Sequence, residues 1–435
     1  MKRILTTIVF FSCSLFGFSQ SYTSYFTGSM TDMIVSPTPP GGICLMGGAS
    51  ENDEAMKWFL NRAYGGDVLV IRASGSNGYN NYLYASLGVN VNSVETIVFN
   101  NSSAAYDPYV LERISKAEAI WMAGGDQWNY VSYWRNTPVD SLINDAIANR
   151  GIVIGGTSAG MAVQGGFYFS AENGTVTSGT ALQDPFNANV TVDSASFIKN
   201  NYLEDVITDT HYDNPDRKGR HVVFLAHIFQ NYGIEAKGIA CNEYTAVCID
   251  ENGQARVFGE YPAYDEFAYF IAKNCDLNDN STIPEVYTQG SPLTWDYSGT
   301  VLRAYKVPGT MTGVNSFNLG DWETGSGGEW LYWSVNAGTF IETTASAPDC
   351  SANTGELWMD EMDIFPNPTD GVATIEFGSA ETRAVQVQSA RGVVLWSEEI
   401  TGSTLSIDLS SQRTGVYFLT IQSENGRGTK KLIKE

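Results

Sequence analysis

The stretch IVIGGTSAGMAVQGG, residues 152–166, holds a serine in a setting that suits nucleophilic chemistry. Gly156-Thr157-Ser158-Ala159-Gly160 fits G-x-S-x-G between an apolar run that predicts a strand and small residues that predict a helix, the context of a nucleophile elbow. Such a turn lifts the hydroxyl clear of the sheet, and the Ala159 amide at the helix start can point at a developing oxyanion. The bland alternative is a glycine-rich loop with an N-capping serine. A serine nucleophile needs a base, and the chain has only three histidines. His221 and His227 fall in the apolar, helix-like run RHVVFLAHIFQ, which suits packing, whereas His211 lies in the charged loop DTHYDNPDRKGR and is the better base.

The acid that orients the base is harder to choose, because many carboxylates separate Ser158 from His211. Glu172 leads, since it ends the apolar run FYFSAENG before a turn, and Asp209, beside His211, is second. The second oxyanion donor has a candidate in AIWMAGGDQW, residues 119–128, a strand reading that ends in Gly124-Gly125. Beside the elbow strand, that motif sets the Gly125 amide and the Gln127 side chain at the same sheet edge. Asp126 can equally be a helix cap.

These residues need a scaffold, and residues 42–165 supply one. Short apolar runs (ICLMGG, DVLVIRAS, VETIVFN, AIWMAGGD) alternate with amphipathic segments, which predicts βαβ units and a parallel sheet. TPVDSLINDAIANRG reads as a helix with Thr137 as N-cap, Pro138 in the first turn and Gly151 as the stop. The strand IVI then follows a helix in a doubly wound sheet, where ligands gather beyond the carboxyl ends of the strands. After about residue 238 come short β-like runs, GIACNEYTAVCID and ARVFGEY, read as late strands of the same domain. DIFPNPTDGVATIEF opens a further set of alternating runs, which predicts a small C-terminal β-sandwich.

The chain has 435 residues, more than one domain's usual roughly 150. Its 43% hydrophobic and 17% charged residues exclude a disordered chain. A net charge of −23 argues against nucleic acid and anionic lipid as partners and favours cationic substrates. Lys2-Arg3, an apolar run to about Phe18 and small residues near a cut predict a secretory signal peptide over 1–20. That run is shorter than the roughly 20 residues a membrane-spanning helix needs. Its removal takes Cys13 and leaves five cysteines, so at least one thiol stays unpaired. Cys44 reads as a buried small hydrophobe, while Cys275 and Cys350 sit in polar loops and can pair. No C-x-x-C pattern suggests a metal, and no cofactor is implied.

At MGGAS, VLVIRASG, AGGDQ, GGTSAGMAV and DTHYDNPDRKGR the chain resembles the cyanophycinase and dipeptidase E family of serine peptidases, from about Cys44 to His227. The resemblance implies an α/β fold: a parallel-sheet peptidase domain akin to class I glutamine amidotransferases, with a serine, histidine and acid triad. It assigns Ser158 as nucleophile, His211 as base and Glu172 as acid. It also places Gln127, Arg217 and Arg220 where relatives hold substrate carboxylates, a task suited to a planar guanidinium. The implied substrate is cyanophycin, a poly-aspartate backbone bearing arginine on its side chains, or a related aspartyl peptide. Where cyanophycinases commonly carry another arginine four residues after the histidine, this chain has Pro215. The resemblance also admits a homodimer.

FPNPTDG, SARGVVLW, TGVYFLTI and the basic ending GTKKLIKE resemble the C-terminal sorting domain of the type IX secretion system of Bacteroidetes. That resemblance implies the type IX secretion machinery as partner and a secreted or surface location. The domains expected are a signal peptide over 1–20, a peptidase domain over 21–349, a linker over 350–361 and a sorting domain over 362–435. Two other readings stand beside the peptidase: an α/β-hydrolase esterase, which would lack its HGGG-type oxyanion loop, and a degenerate domain that serves as a surface binding module.

Overall fold

Continuous apolar runs in the predicted strands demand that both faces of the sheet be covered, and the computed structural model builds that arrangement. It describes residues 20–194, 197–277, 279–348, 350, 362–389, 394–423 and 426–435, so nearly all of the signal-peptide and linker readings lie outside it. The strands that carry the site are β1 (Tyr22–Gly28), β2 (Gly42–Met46), β3 (Asp67–Arg72), β4 (Ser93–Phe99), β5 (Ala119–Met122) and β6 (Val153–Thr157). They are followed by β7 (Val206–Asp209), β8 (Lys237–Cys241), β9 (Ala246–Ile249) and β10 (Gln254–Phe258).

In the first sheet the order is β1-β4-β3-β5-β6-β2-β9-β10, continued by two short strands near residues 316–326. Its centre, β4-β3-β5-β6-β2, is wholly parallel, as the alternation of strands and helices predicts. The edge strand β1 runs antiparallel to β4 and was not foreseen, because it lies upstream of the first clear strand–helix repeat. Along each central strand alternate residues divide between two cores. Ile43, Leu45, Leu69, Ile71, Ile120 and Met122 face one, and Cys44, Met46, Val68, Val70 and Trp121 face the other. The helix Asp53–Asn61 contributes Met56, Phe59 and Leu60 to the second of these.

The helix Pro138–Arg150 begins and ends at the expected residues. Thr137 accepts from the Val139 amide at 3.2 Å, and Gly151 closes the helix at φ 60°. Only a residue tolerant of the left-handed region serves well there.

The reading of residues 238–258 as late strands of one domain hides a crossing. Strand β8 pairs in parallel with β7 in a second, six-stranded sheet, whereas β9 pairs antiparallel with β2 in the first. The turn 242–245 therefore steps from one sheet to the other. Ile239, Cys241 and Phe270 pack the second sheet onto the first. Its far face is covered by the helix Lys218–Tyr232 through Val222, Phe224 and Leu225. At the C-terminus, residues 363–434 form an antiparallel five-stranded sheet around Ile375, Val385, Leu419 and Leu432, sandwich-like as expected.

Candidate active site

Three strands of different parentage end at one place. The elbow after β6 puts Ser158 at φ 53°, ψ −115°, a conformation costly for a residue with a side chain. Its amide donates to the Met46 carbonyl at 3.1 Å, and its own carbonyl accepts from Met161 and Ala162 to start the helix Ala159–Ala162. The hydroxyl caps nothing; it lies 2.8 Å from His211 Nε2, so the bland N-cap reading does not describe it. The turn is tight because a Cβ on Gly160 would sit 2.0 Å from the Met122 carbonyl of β5.

His211 follows β7, and its amide donates to the Gly47 carbonyl at 2.7 Å. Its ring lies against Gly48, where a Cβ would come within 2.4 Å of Cε1 and Nε2. Nδ1 is 2.6 Å from Glu243 Oε1. An ionised carboxylate only accepts, so Nδ1 carries the proton and Nε2 is left to accept from the Ser158 hydroxyl. Glu243 sits in the sheet-crossing turn: its amide donates to Asp213 Oδ1 at 2.9 Å, and its Oε2 accepts from Asn214 Nδ2 at 3.3 Å. The hydrogen bond with His211, foremost, holds the Glu243 carboxyl below its ordinary range against a smaller opposing effect of burial, and Asn214 and Arg217 lower it further.

The carboxylate on the imidazole is thus neither of the two expected. Glu172 is exposed in the turn after the short strand Tyr168–Phe169, with its amide on Ser170 Oγ at 3.4 Å. Asp209 is 3% exposed at the end of β7, and its carboxylate meets Arg220 Nε at 2.8 Å and Arg220 Nη2. Burial alone would raise the Asp209 pKa; the Arg220 guanidinium outweighs it and holds the group below its ordinary value. That same pairing corrects the expected role of Arg220. It is 2% exposed, and its remaining arm donates to the Val176 carbonyl at 3.1 Å and to Thr175 Oγ1 at 3.4 Å. All of its arms are spent inside the protein, so it ties elements together instead of facing a substrate.

Arg217 keeps a side chain 20% exposed, 3.9 Å from Asp209 Oδ1 and close enough to lower the Glu243 pKa. Gln127 opens the helix Gln127–Trp134 and donates to the Phe169 carbonyl at 3.1 Å. Asp126 caps that helix by accepting from the Trp128 amide at 2.9 Å. The Gly124-Gly125 loop lies beside the elbow, with the Cβ direction of Gly124 pointing 3.6 Å from Ser158 Cβ. Among the described residues the amides of Gly125 and Ala159 have no protein acceptor, which leaves both free for an oxyanion.

His221 and His227 are the packing histidines that their apolar run suggests. Burial pushes each down to about 4; His221 is fully buried against Tyr212 Oη at 3.1 Å, and His227 meets Tyr287 Oη at 3.0 Å.

Fold and site together define a parallel-sheet α/β domain with a Ser–His–carboxylate relay on a nucleophile elbow. Residues 68–257, which carry all three relay residues, match the model of Peptidase family S51, and residues 363–435 match that of the secretion system C-terminal sorting domain. A cyanophycinase of Synechococcus elongatus is 25% identical over 228 residues, 50% of this chain and 66% of the relative. A cyanophycinase of Geminocystis herdmanii is 29% identical over 149 residues, 34% of this chain and 49% of the relative. The matched segment thus spans about two thirds of one relative and half of the other. A crystal structure of a peptidase from an acI-B1 Actinobacterium superposes with a TM-score of 0.39 at 16% identity, covering 53% of this chain and 93% of that one.

The motif resemblance is thus met by two matches, to Peptidase family S51 over residues 68–257 and to the sorting domain over residues 363–435, and the parallel sheet is of the expected α/β class. That tail indicates export by type IX secretion, to the cell surface or beyond. No helix among the described residues is long and apolar enough to cross a membrane.

Proposed function

We propose that this protein is an exported serine peptidase in which Ser158, His211 and Glu243 form the catalytic triad. The observation that carries the reading is the relay itself: 2.8 Å from hydroxyl to imidazole and 2.6 Å from imidazole to carboxylate, on a strained elbow. In the reaction His211 Nε2 takes the Ser158 proton as Oγ attacks the amide carbon, and Glu243 stabilises the imidazolium. The Ala159 and Gly125 amides hold the tetrahedral oxyanion. His211 then returns the proton to the leaving amine, and water, activated by the same imidazole, releases the acyl group.

The substrate class is an aspartyl or β-aspartyl amide of the cyanophycin kind. Arg217, near enough to the relay to act on Glu243 and with its side chain 20% exposed, is suited to a substrate carboxylate, and Gln127, after the Gly124-Gly125 loop, is the second substrate-holding candidate. The acidic chain, at net charge −23, attracts the arginine-bearing side chains of such a polymer. Export proceeds through a cleaved signal peptide over residues 1–20 and recognition of the tail over 362–435 by the secretion machinery.

The test is incubation of the purified protein with cyanophycin, isoaspartyl dipeptides and N-terminal-aspartyl dipeptides, beside Ser158→Ala. The expected outcome is turnover of at least one of these by the wild type and a loss of roughly 10³-fold or more in the variant. Undiminished cleavage by Ser158→Ala would remove the serine mechanism.

A further inference from the structure

Behind the nucleophile, two thiols face each other across the first sheet. Cys44 of β2 and Cys248 of β9 are cross-strand partners, their sulfurs 3.7 Å apart and both fully buried. Antiparallel pairs alternate between hydrogen-bonded and non-hydrogen-bonded positions, and which kind this one is can be read from its neighbours. Met46 turns its carbonyl toward β6, where it accepts from Ser158. Gly47 is the residue that donates across to β9's side, to the Thr245 carbonyl at 2.9 Å. Alternation along β2 therefore makes Met46 and Cys44 non-hydrogen-bonded with respect to β9. At such positions the Cα atoms lie about 4.5 Å apart with side chains closest, inside the roughly 4.4–6.8 Å that a disulfide accepts.

We infer that Cys44 and Cys248 are joined by a disulfide in the mature, exported protein. The choice among the three remaining thiols follows from the pleat. Cys44 and Cys248 share one face of the sheet, while Cys241 lies in the core on the other, its sulfur directed at the Leu45 carbonyl. The second cysteine pair of this chain, Cys275–Cys350, is already joined, as expected of a protein that matures in an oxidising compartment.

Oxidation balances as an exchange with a small-molecule disulfide such as oxidised glutathione. The Cys248 thiolate attacks one of its sulfurs and forms a mixed disulfide, the Cys44 thiolate then displaces the second glutathione, and two protons and two electrons leave the protein. Because neither sulfur touches solvent in the closed sheet, the step belongs to folding, before β9 settles onto β2. The bond staples the strand whose end carries the relay. Met46, Gly47 and Gly48 offer their carbonyls in succession to the amides of Ser158, His211 and Tyr244.

The test uses the full chain and needs no activity. Reduced, denatured protein is refolded in oxidised and reduced glutathione, alkylated under denaturing conditions and mapped by peptide mass. The same mapping is made on protein recovered unrefolded from an oxidising compartment. The expected product is a cross-linked peptide pair containing Cys44 and Cys248, with Cys241 alkylated, and Cys241→Ala leaves the result unchanged. In Cys248→Ala the Cys44 thiol is alkylated instead of passing to Cys241. Alkylation of both Cys44 and Cys248 in molecules whose Cys275–Cys350 bond is intact overturns the proposal, whatever the peptidase assays give.

Discussion

Ser158 and His211 owe their meeting to two backbones held in unusual conformations, φ 53° at the serine and φ 47° at the histidine. Each is fixed by a hydrogen bond from its own amide to the end of β2. At this scale the assignment of the acid is open to direct trial. Glu243→Gln preserves size but cannot hold the imidazole in the tautomer that accepts from serine; kcat is expected to fall roughly 10⁴-fold, while Glu172→Gln stays near wild type in the same steady-state assay. Gly48→Ala sets a methyl into the His211 ring at a backbone angle of φ 120°. A displacement of about 1 Å in the base predicts a drop of about 10²-fold in kcat with KM nearly unchanged. The Ser158–His211 contact was legible because one residue sits in a local motif and the other had two rivals, both in an apolar run. Glu243 was not, because it follows His211 in the chain, outside the order serine, acid, histidine that Glu172 and Asp209 satisfy. Its signal was a carboxylate in Asn242-Glu243-Tyr244, between two apolar strands, and only the crossing between sheets gives that turn its meaning.

At the scale of elements, the end of β2 and the buried Asp209–Arg220 pair divide the labour of positioning. The strand end aligns the relay; the ion pair ties β7 to the helix Lys218–Tyr232 and to the 175–176 loop. Arg220→Met leaves Asp209 buried without its partner and is expected to lower stability by about 3–5 kcal/mol, seen as a lower denaturant midpoint at pH 7. Arg217→Ala, by contrast, is expected to raise KM for a carboxylate-bearing substrate while the midpoint stays within error of wild type. The elements themselves were readable wherever their signals were local. Thr137, Pro138 and Gly151 bound a helix by their own chemistry, and the apolar runs from Ile43 to Ile154 marked a parallel sheet. What local pattern could not show was partnership. Strand β1 pairs across some seventy residues with β4, and β8 and β9, adjacent in sequence, belong to different sheets. Arg220 was misread for the same reason: its position after the histidine matched a binding role, while its burial is decided by a helix packed against a second sheet.

Over the whole molecule, the acidic charge and the buried histidines pull stability in opposite directions as pH falls. At pH 7 the net charge of −23 makes the folded chain repel itself, and protonation of surface carboxylates relieves this. His221 works the other way. Its folded pKa is down at about 4 because burial disfavours the imidazolium, against about 6.5 in the unfolded chain. Above pH 6.5 neither state holds the extra proton, and His221 contributes no pH dependence. Between about 6.5 and 4 the unfolded chain binds a proton that the native chain refuses, so stability falls with pH; below about 4 both bind it, and the loss levels off. The full span is about 3 kcal/mol for one such imidazole, and His227, only half-buried, is shifted in the same direction by the same cause. Urea unfolding at pH 7 and pH 4.5 separates the two effects. Both proteins share the surface term, so His221→Gln is expected to lose less stability than wild type between those pH values. An equal loss in the two would mean that the imidazole gains its proton without leaving the core.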